Sequence, residues 1–123
     1  MRDGEFRTRY VYLCYIHSMR ANDPLIGCTG FDWDESNIGK NWERHRVTTE
    51  EAEAIFFHDP FLCRTDPGHS RGEKRYMALG RTDRERWLFA AFTVRRKLIR
   101  IISVRDMNQR ESEEYRRHEE ADS

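Results

Sequence analysis

The stretch from Lys74 to Val104 constrains this chain more than any other part of it. Three segments rich in apolar, β-branched and aromatic residues lie there: Lys74–Arg81, Trp87–Arg95 and Leu98–Val104. Such segments read as strands. They are separated only by Thr82–Arg86 and by the tight turn Arg95-Arg96-Lys97. Connections that short cannot carry a crossover, so the strands must run as an antiparallel meander. Phe61–Thr65 predicts a further short strand, and Asp66–Gly72 is turn chemistry throughout, hence an exposed loop.

Helical signals flank the meander. Phe31-Asp32-Trp33-Asp34 alternates like a short half-buried strand, and Asp34 or Ser36 then caps a helix over 36–45. On that helix Ile38, Trp42 and His45 share one face, and Asn37, Asn41 and Arg44 share another. Trp33, Trp42 and Trp87 read as core residues. Thr48-Thr49-Glu50-Glu51 is a capping box that opens a second helix, with an Ala52, Ile55 and Phe56 stripe, ended near His58 by Asp59-Pro60. Asn108 with Glu111 caps a last polar helix over 109–119. The order of elements is α+β: an antiparallel sheet of 3–4 strands, two N-terminal helices and a C-terminal helix. The whole has 123 residues, enough for one domain. Residues 1–30 hold three of the seven glycines and no clear period. They read as an irregular or flexible N-terminal extension ahead of a domain over 31–123. Met1–Ser18 is expected to be an upstream extension, with Arg9–Ile16 as an added edge strand the alternative.

Several function classes are excluded. The longest apolar run, Tyr10–Ile16, is far short of the ~20 residues a membrane span needs. Cys14, Cys28 and Cys63 are odd in number and widely spaced, so no disulfide framework is indicated. The five histidines fall at no metal-ligand spacing, and neither a metal nor another cofactor is expected. A cytoplasmic protein without membrane contact is the reading.

The formal net charge is zero, but it is unevenly spread. Residues 64–105 carry +8, against −5 over residues 31–60 and −4 over residues 106–123. Of the 22 basic residues only three are lysine. Arginine presents a planar fork of donors that matches phosphate, so the sheet is the expected phosphate-facing part.

Several ordered blocks resemble the BrnT toxins. They are Phe31-x-Trp33-Asp34, Asn41-x-x-Arg44-His45-x-Val47, Glu51-Ala52, Asp66-Pro67, Glu73-x-Arg75, Ala78-Leu79-Gly80, Ile99-Arg100-Ile101-Ile102-Ser103-x-Arg105, Arg110-Glu111 and Tyr115. The resemblance covers about 31–117. It implies a RelE-like fold and a ribonuclease toxin of a type II toxin–antitoxin module, an endoribonuclease that inhibits translation and growth. It also implies a BrnA-like ribbon-helix-helix antitoxin as partner, with DNA reached only through that antitoxin. Asn37 stands where the family usually has Lys, and Arg46 where it usually has Gly. These departures leave open an alternative, a catalytically weak protein acting mainly as antitoxin-binding partner in an autorepressor complex.

Cutting RNA without a metal requires a base for the 2′-hydroxyl, cations for the charge growing on phosphorus and help for the leaving oxygen. The catalytic candidates are Arg75, Arg100, Arg105, His45 and Glu73. The three arginines lie in otherwise apolar strands, where a charge has either a counter-ion or a function. Asp34, Glu35 and Glu111 are the candidate counter-ions. Strand alternation places Arg100 with Leu98, Ile102 and Val104, and Arg105 on the other face. A β-bulge, or Arg105 lying past the strand end, would be required to bring Arg100 and Arg105 to one side. His45 at a helix end suits acid or base work near neutral pH. Tyr115 reads as a packing or lid residue. Lys40, Arg44, Arg84, Arg86, Arg95, Arg96 and Lys97 are the candidates for tracking the RNA backbone.

Overall fold

The meander forms where the apolar pattern requires it, with helices ahead of it and after it in the chain. The structure, a computed structural model, describes residues 24–66 and 72–122. Along the chain come β1 (Gly30–Phe31), α1 (Glu35–Ile38), α2 (Lys40–His45), α3 (Thr49–Ala54) and a 3-10 turn (Ile55–Phe57). There follow β2 (Leu62–Thr65), β3 (Tyr76–Arg81), β4 (Trp87–Arg95), β5 (Leu98–Asp106) and α4 (Gln109–Asp122). The strand order is β1-β5-β4-β3-β2. β2 through β5 are antiparallel neighbours. The α+β, RelE-like class stands. The sheet has five strands rather than 3–4, because Gly30 and Phe31 pair in parallel with Leu98 and Ile99. Leu25 and Cys28 are fully buried, so packing begins inside the stretch read as an extension. The readings for Met1–Ser18 and Arg9–Ile16, and residues 67–71 of the expected loop, lie outside the described residues.

Both capping boxes form. Thr48 Oγ1 accepts from the Glu51 N–H at 3.0 Å while Glu51 Oε1 accepts from the Thr48 N–H at 3.0 Å. Asn108 and Glu111 exchange the same pair of bonds at 2.8 and 2.9 Å. Each satisfies helix-start donors that would otherwise lack a partner. The helix expected over 36–45 is two pieces, broken at Gly39, with Asp34 as its N-cap.

The orientation of that helical pair is decided by the sheet edge. β1 covers only the start of β5. Beyond it the edge of β5 still has backbone groups to satisfy. Asn37 Nδ2 donates to Ile101 O at 3.2 Å, Lys40 Nζ to Ile102 O at 3.3 Å, and Asn41 Oδ1 accepts from the Val104 N–H at 3.1 Å. Side chains thus complete the edge. Asn37 and Asn41 are therefore buried, and Ile38 and Trp42 are 52% and 46% exposed. This corrects the reading of Trp42 as core: backbone hydrogen bonding outranked the burial of one indole. Asn37, where the resemblance suggests Lys, is a structural residue here. Arg46 ends α2 in the left-handed conformation at φ 54°, ψ 43°, with its guanidinium over Trp42 at 5.1 Å.

One β-bulge sorts the side chains. Ala91 pairs with Ser103 but Phe92 pairs with Ile101, so Ile102 is the extra residue of β5. The alternation before and after Ile102 is therefore reversed. Ala78, Leu88, Ala90, Phe92, Ile99, Ile101 and Val104 all turn to the core, and Val104 does not share a face with Arg100. Phe56 fills the centre of that core, edge-on to Phe31 at 5.4 Å and to Phe92 at 5.3 Å. The 3-10 turn lies directly on β3. A Cβ on Gly80 would sit 2.8 Å from Ile55 Cβ and 2.9 Å from Ile55 O. Gly80→Ala is expected to cost about 1–3 kcal/mol of stability, measured by urea denaturation.

Candidate nucleic-acid interface

The second face of the sheet carries the arginines. Register places Leu79, Phe89 and Arg105 in one cross-strand row, and Met77, Ala91 and Ser103 in the next. Thr93 then lies opposite Arg100. Arg75 continues that row, because Tyr76 pairs with Phe92 and the Asp66 N–H donates to Arg75 O at 2.8 Å. The bulge thereby does what simple alternation forbids and puts Arg75, Arg100 and Arg105 on one face.

Helix α4 lies over one end of this face. Tyr115 is fully buried, edge-on to Trp87 at 4.9 Å, and its hydroxyl donates to Pro60 O at 2.7 Å. Burial raises its pKa, with nearby carboxylates adding to the shift, so the phenol stays protonated as a packing residue. Glu111 takes two bonds from Arg105, at 2.9 and 3.1 Å, and Glu114 pairs with Arg64. Burial pushes the Glu111 carboxyl up, but Arg105 and the Asn108 N–H outweigh this and hold it below the usual range. Arg105 also stacks over Phe89 at 4.1 Å. It is thus tied into the α4 junction, two rows from Arg100, roughly 13 Å along the strands.

The other end of the face gathers Glu73, Arg75, Thr93, Arg95 and Arg100. Arg100 is held by Asp34 at 2.5 Å, with Asp32 at 3.6 Å. Glu73 pairs with Arg95, at 2.5 and 3.0 Å, rather than with Arg75. The hydrogen bond from Arg95 holds the Glu73 carboxyl below its ordinary range, and the charge of Arg100 adds to this. Two buried side-chain polar atoms among the described residues have no hydrogen-bond partner: Arg75 Nε and Thr93 Oγ1. Both belong to one row. Thr93 went unnoticed in the sequence because its position opposite Arg100 depends on the bulge.

His45 is elsewhere. Its carbonyl accepts from Arg86 Nη2 at 3.2 Å at the opposite end of the sheet, where β4 begins and β5 ends. Arg86 itself is an internal tie. It donates to Asp106 at 2.7 and 3.0 Å, to Arg46 O at 2.8 Å and to Glu51 at 3.2 Å. These bonds raise its pKa, the Asp106 contact most of all. Lys40 is likewise engaged, on Ile102 O. Arg44, Arg84, Arg96 and Lys97 are exposed.

The turn at Arg96 and Lys97 is strained, with φ of 53° and 66° in a two-residue hairpin loop that favours Asn-Gly. Arg96→Asn combined with Lys97→Gly is expected to raise stability by about 1 kcal/mol. The check is a thermal midpoint higher by roughly 3–6 °C.

Among the described residues no helix is long and apolar enough to cross a membrane, and no group of three or more His, Cys, Asp or Glu side chains is arranged to hold a metal ion.

Comparison with known proteins gives three findings. No curated protein matches the sequence. The crystal structure of the Brucella abortus ribonuclease toxin BrnT is similar at 19% identity and a TM-score of 0.47, covering 65% of this chain and 97% of that one. Residues 33–111, well over half of the chain, match the family model described as the ribonuclease toxin BrnT of type II toxin–antitoxin systems. The chain belongs to the BrnT family of ribonuclease toxins.

Proposed function

We propose that this protein is an endoribonuclease that cuts RNA on the arginine-bearing face of the sheet, at the end away from the Arg105–Glu111 junction, without a metal ion, and so inhibits translation. The observation that carries this reading is the cross-strand row of Arg75, Thr93 and Arg100, in which two buried polar atoms have no hydrogen-bond partner among the described residues. Guanidinium groups placed where negative charge grows on phosphorus stabilise the transition state without a metal. Glu73 is deprotonated at neutral pH and held so by Arg95, which makes it a weak base. The chemistry therefore leans on charge stabilisation and positioning. Arg44, Arg84, Arg96 and Lys97 would track the strand beyond the cut. A BrnA-like ribbon-helix-helix antitoxin is the partner proposed from family membership.

The test is direct. Purified full-length protein is incubated with single-stranded RNA in excess EDTA, and the product ends are analysed. Cleavage leaving 2′,3′-cyclic phosphate or its hydrolysis product supports the reading. Intact RNA, with normal growth on expression without an antitoxin, rejects it. One observation favours the second reading, an antitoxin-binding protein of weak activity: Arg95, Arg100 and Arg105 are each paired with a carboxylate of the chain itself. That reading expects tight binding to a BrnA-like antitoxin and weak or no cleavage.

A further inference from the structure

Thr93 has no evident reason to be a threonine. It lies in β4 between Phe92 and Val94, is 5% exposed, and its hydroxyl has no hydrogen-bond partner. Valine has the same branched shape and the same preference for a strand, without a polar atom to satisfy. Buried polar atoms are nearly always partnered, and an exception calls for an explanation. The second such atom, Arg75 Nε, belongs to the adjacent position of the same row. Residues directly opposite on paired strands have Cβ atoms about 5 Å apart. Thr93 therefore lies between the bases of two arginine side chains.

The two arginines differ in freedom. Arg100 is anchored by Asp34 and Asp32. Arg75 makes no ion pair among the described residues, and its Nε lacks an acceptor. The carboxylates around the row are Glu73, Asp34 and Asp32, and the first two are already engaged by Arg95 and Arg100. What is missing is an acceptor with several oxygens that takes a hydroxyl and guanidinium donors together.

We infer that Thr93, Arg75 and Arg100 form one phosphate seat, in which the Thr93 O–H donates to a non-bridging oxygen of an RNA phosphodiester while the two guanidiniums bind its other oxygens. An anion that draws the arginine heads toward itself opens the hydroxyl between them. The inference rests on the ribonuclease reading for the identity of the ligand, and on the structure alone for the existence of an oxyanion seat. Thr93 is a phosphate-contacting residue that the sequence did not single out.

The experiment uses the full-length protein, wild type and Thr93→Val, with two probes. Inorganic phosphate is titrated by NMR, and cleavage of a single-stranded RNA is followed under saturating and sub-saturating conditions. Thr93→Val is expected to melt no lower than wild type, to bind phosphate about five- to tenfold more weakly, and to cut RNA at least tenfold more slowly. Thr93→Ser, which keeps the hydroxyl, restores both. Should Thr93→Val fail to fold, Thr93→Ala against Thr93→Ser carries the comparison, since both lack the methyl group and differ only in the hydroxyl. Equal phosphate binding by the hydroxyl-bearing and hydroxyl-free variants overturns the inference. If wild type cuts no RNA but binds phosphate in a Thr93-dependent manner, the seat stands and the ribonuclease reading falls.

Discussion

An Arg75→Ala variant is expected to cut RNA about a hundredfold more slowly than wild type while melting within about 1 °C of it. The rate estimate follows from the loss of one preorganised donor aimed at a developing oxyanion, typically 10²–10³ in rate. The unchanged stability follows from the surroundings of Arg75. It makes no ion pair among the described residues, and its Nε has no hydrogen-bond partner, so its removal strands no carboxylate. Arg100 is the contrasting case. Its removal leaves Asp34 and Asp32 without their cation, so lost activity there would mix catalysis with stability. Arg75→Lys is expected to recover little, because an ammonium is a point charge and cannot reproduce the planar fork. Steady-state cleavage beside a thermal melt checks all three variants. Normal cleavage by Arg75→Ala would place the site elsewhere.

Arg86→Ala is expected to have the largest effect on stability, about 2 kcal/mol, read as a midpoint lower by roughly 6–10 °C. The Asp106 side chain is 62% exposed, so its ion pair contributes little. The cost lies in the partly buried Glu51 and in the His45 and Arg46 carbonyls, which lose their donor together. Lysine is expected not to rescue it, because one ammonium does not span these acceptors. Acid titration gives a second readout. Arg86 holds the Asp106 carboxyl below its ordinary range. For Glu51, burial pushes the carboxyl up, but the Thr48 N–H and Arg86 outweigh this and lower it. A depressed folded pKa contributes stability that is complete above the unfolded value and lost as the pH falls through the folded one. Wild type should therefore lose stability below about pH 4, and Arg86→Ala should lose less over the same window. The gap between the two proteins should narrow in acid.

Arg86 also shows where the interface stops being legible in the sequence. As a basic residue next to a strand, Arg86 read like Arg84 or Arg95, a candidate for RNA. Nothing local distinguishes a cation that faces solvent from one that ties α2, α3 and β5 together through contacts 20 to 41 residues away. Glu73 shows the same limit. It stands two residues from Arg75 in the sequence, yet it pairs with Arg95 on the neighbouring strand. Arg105 did find Glu111, one of the counter-ions considered, because Asn108 and Glu111 start a helix within reach.

Local chemistry was decided by the sequence alone. Both capping boxes, the α+β order and the antiparallel meander depend on residues within a few positions of one another, and all are present. Family membership was legible for a similar reason, since ordered short blocks carry it. Two matters were settled only in three dimensions. The edge of β5 needed hydrogen-bond partners, so α1 and α2 turned Asn37 and Asn41 inward and left Ile38 and Trp42 exposed. The extra residue at Ile102 reversed the alternation of β5, so Arg100 and Arg105 share a face. The pattern of apolar residues counts positions along one strand. Which positions oppose one another across strands is set by hydrogen-bond register, and that belongs to the pair.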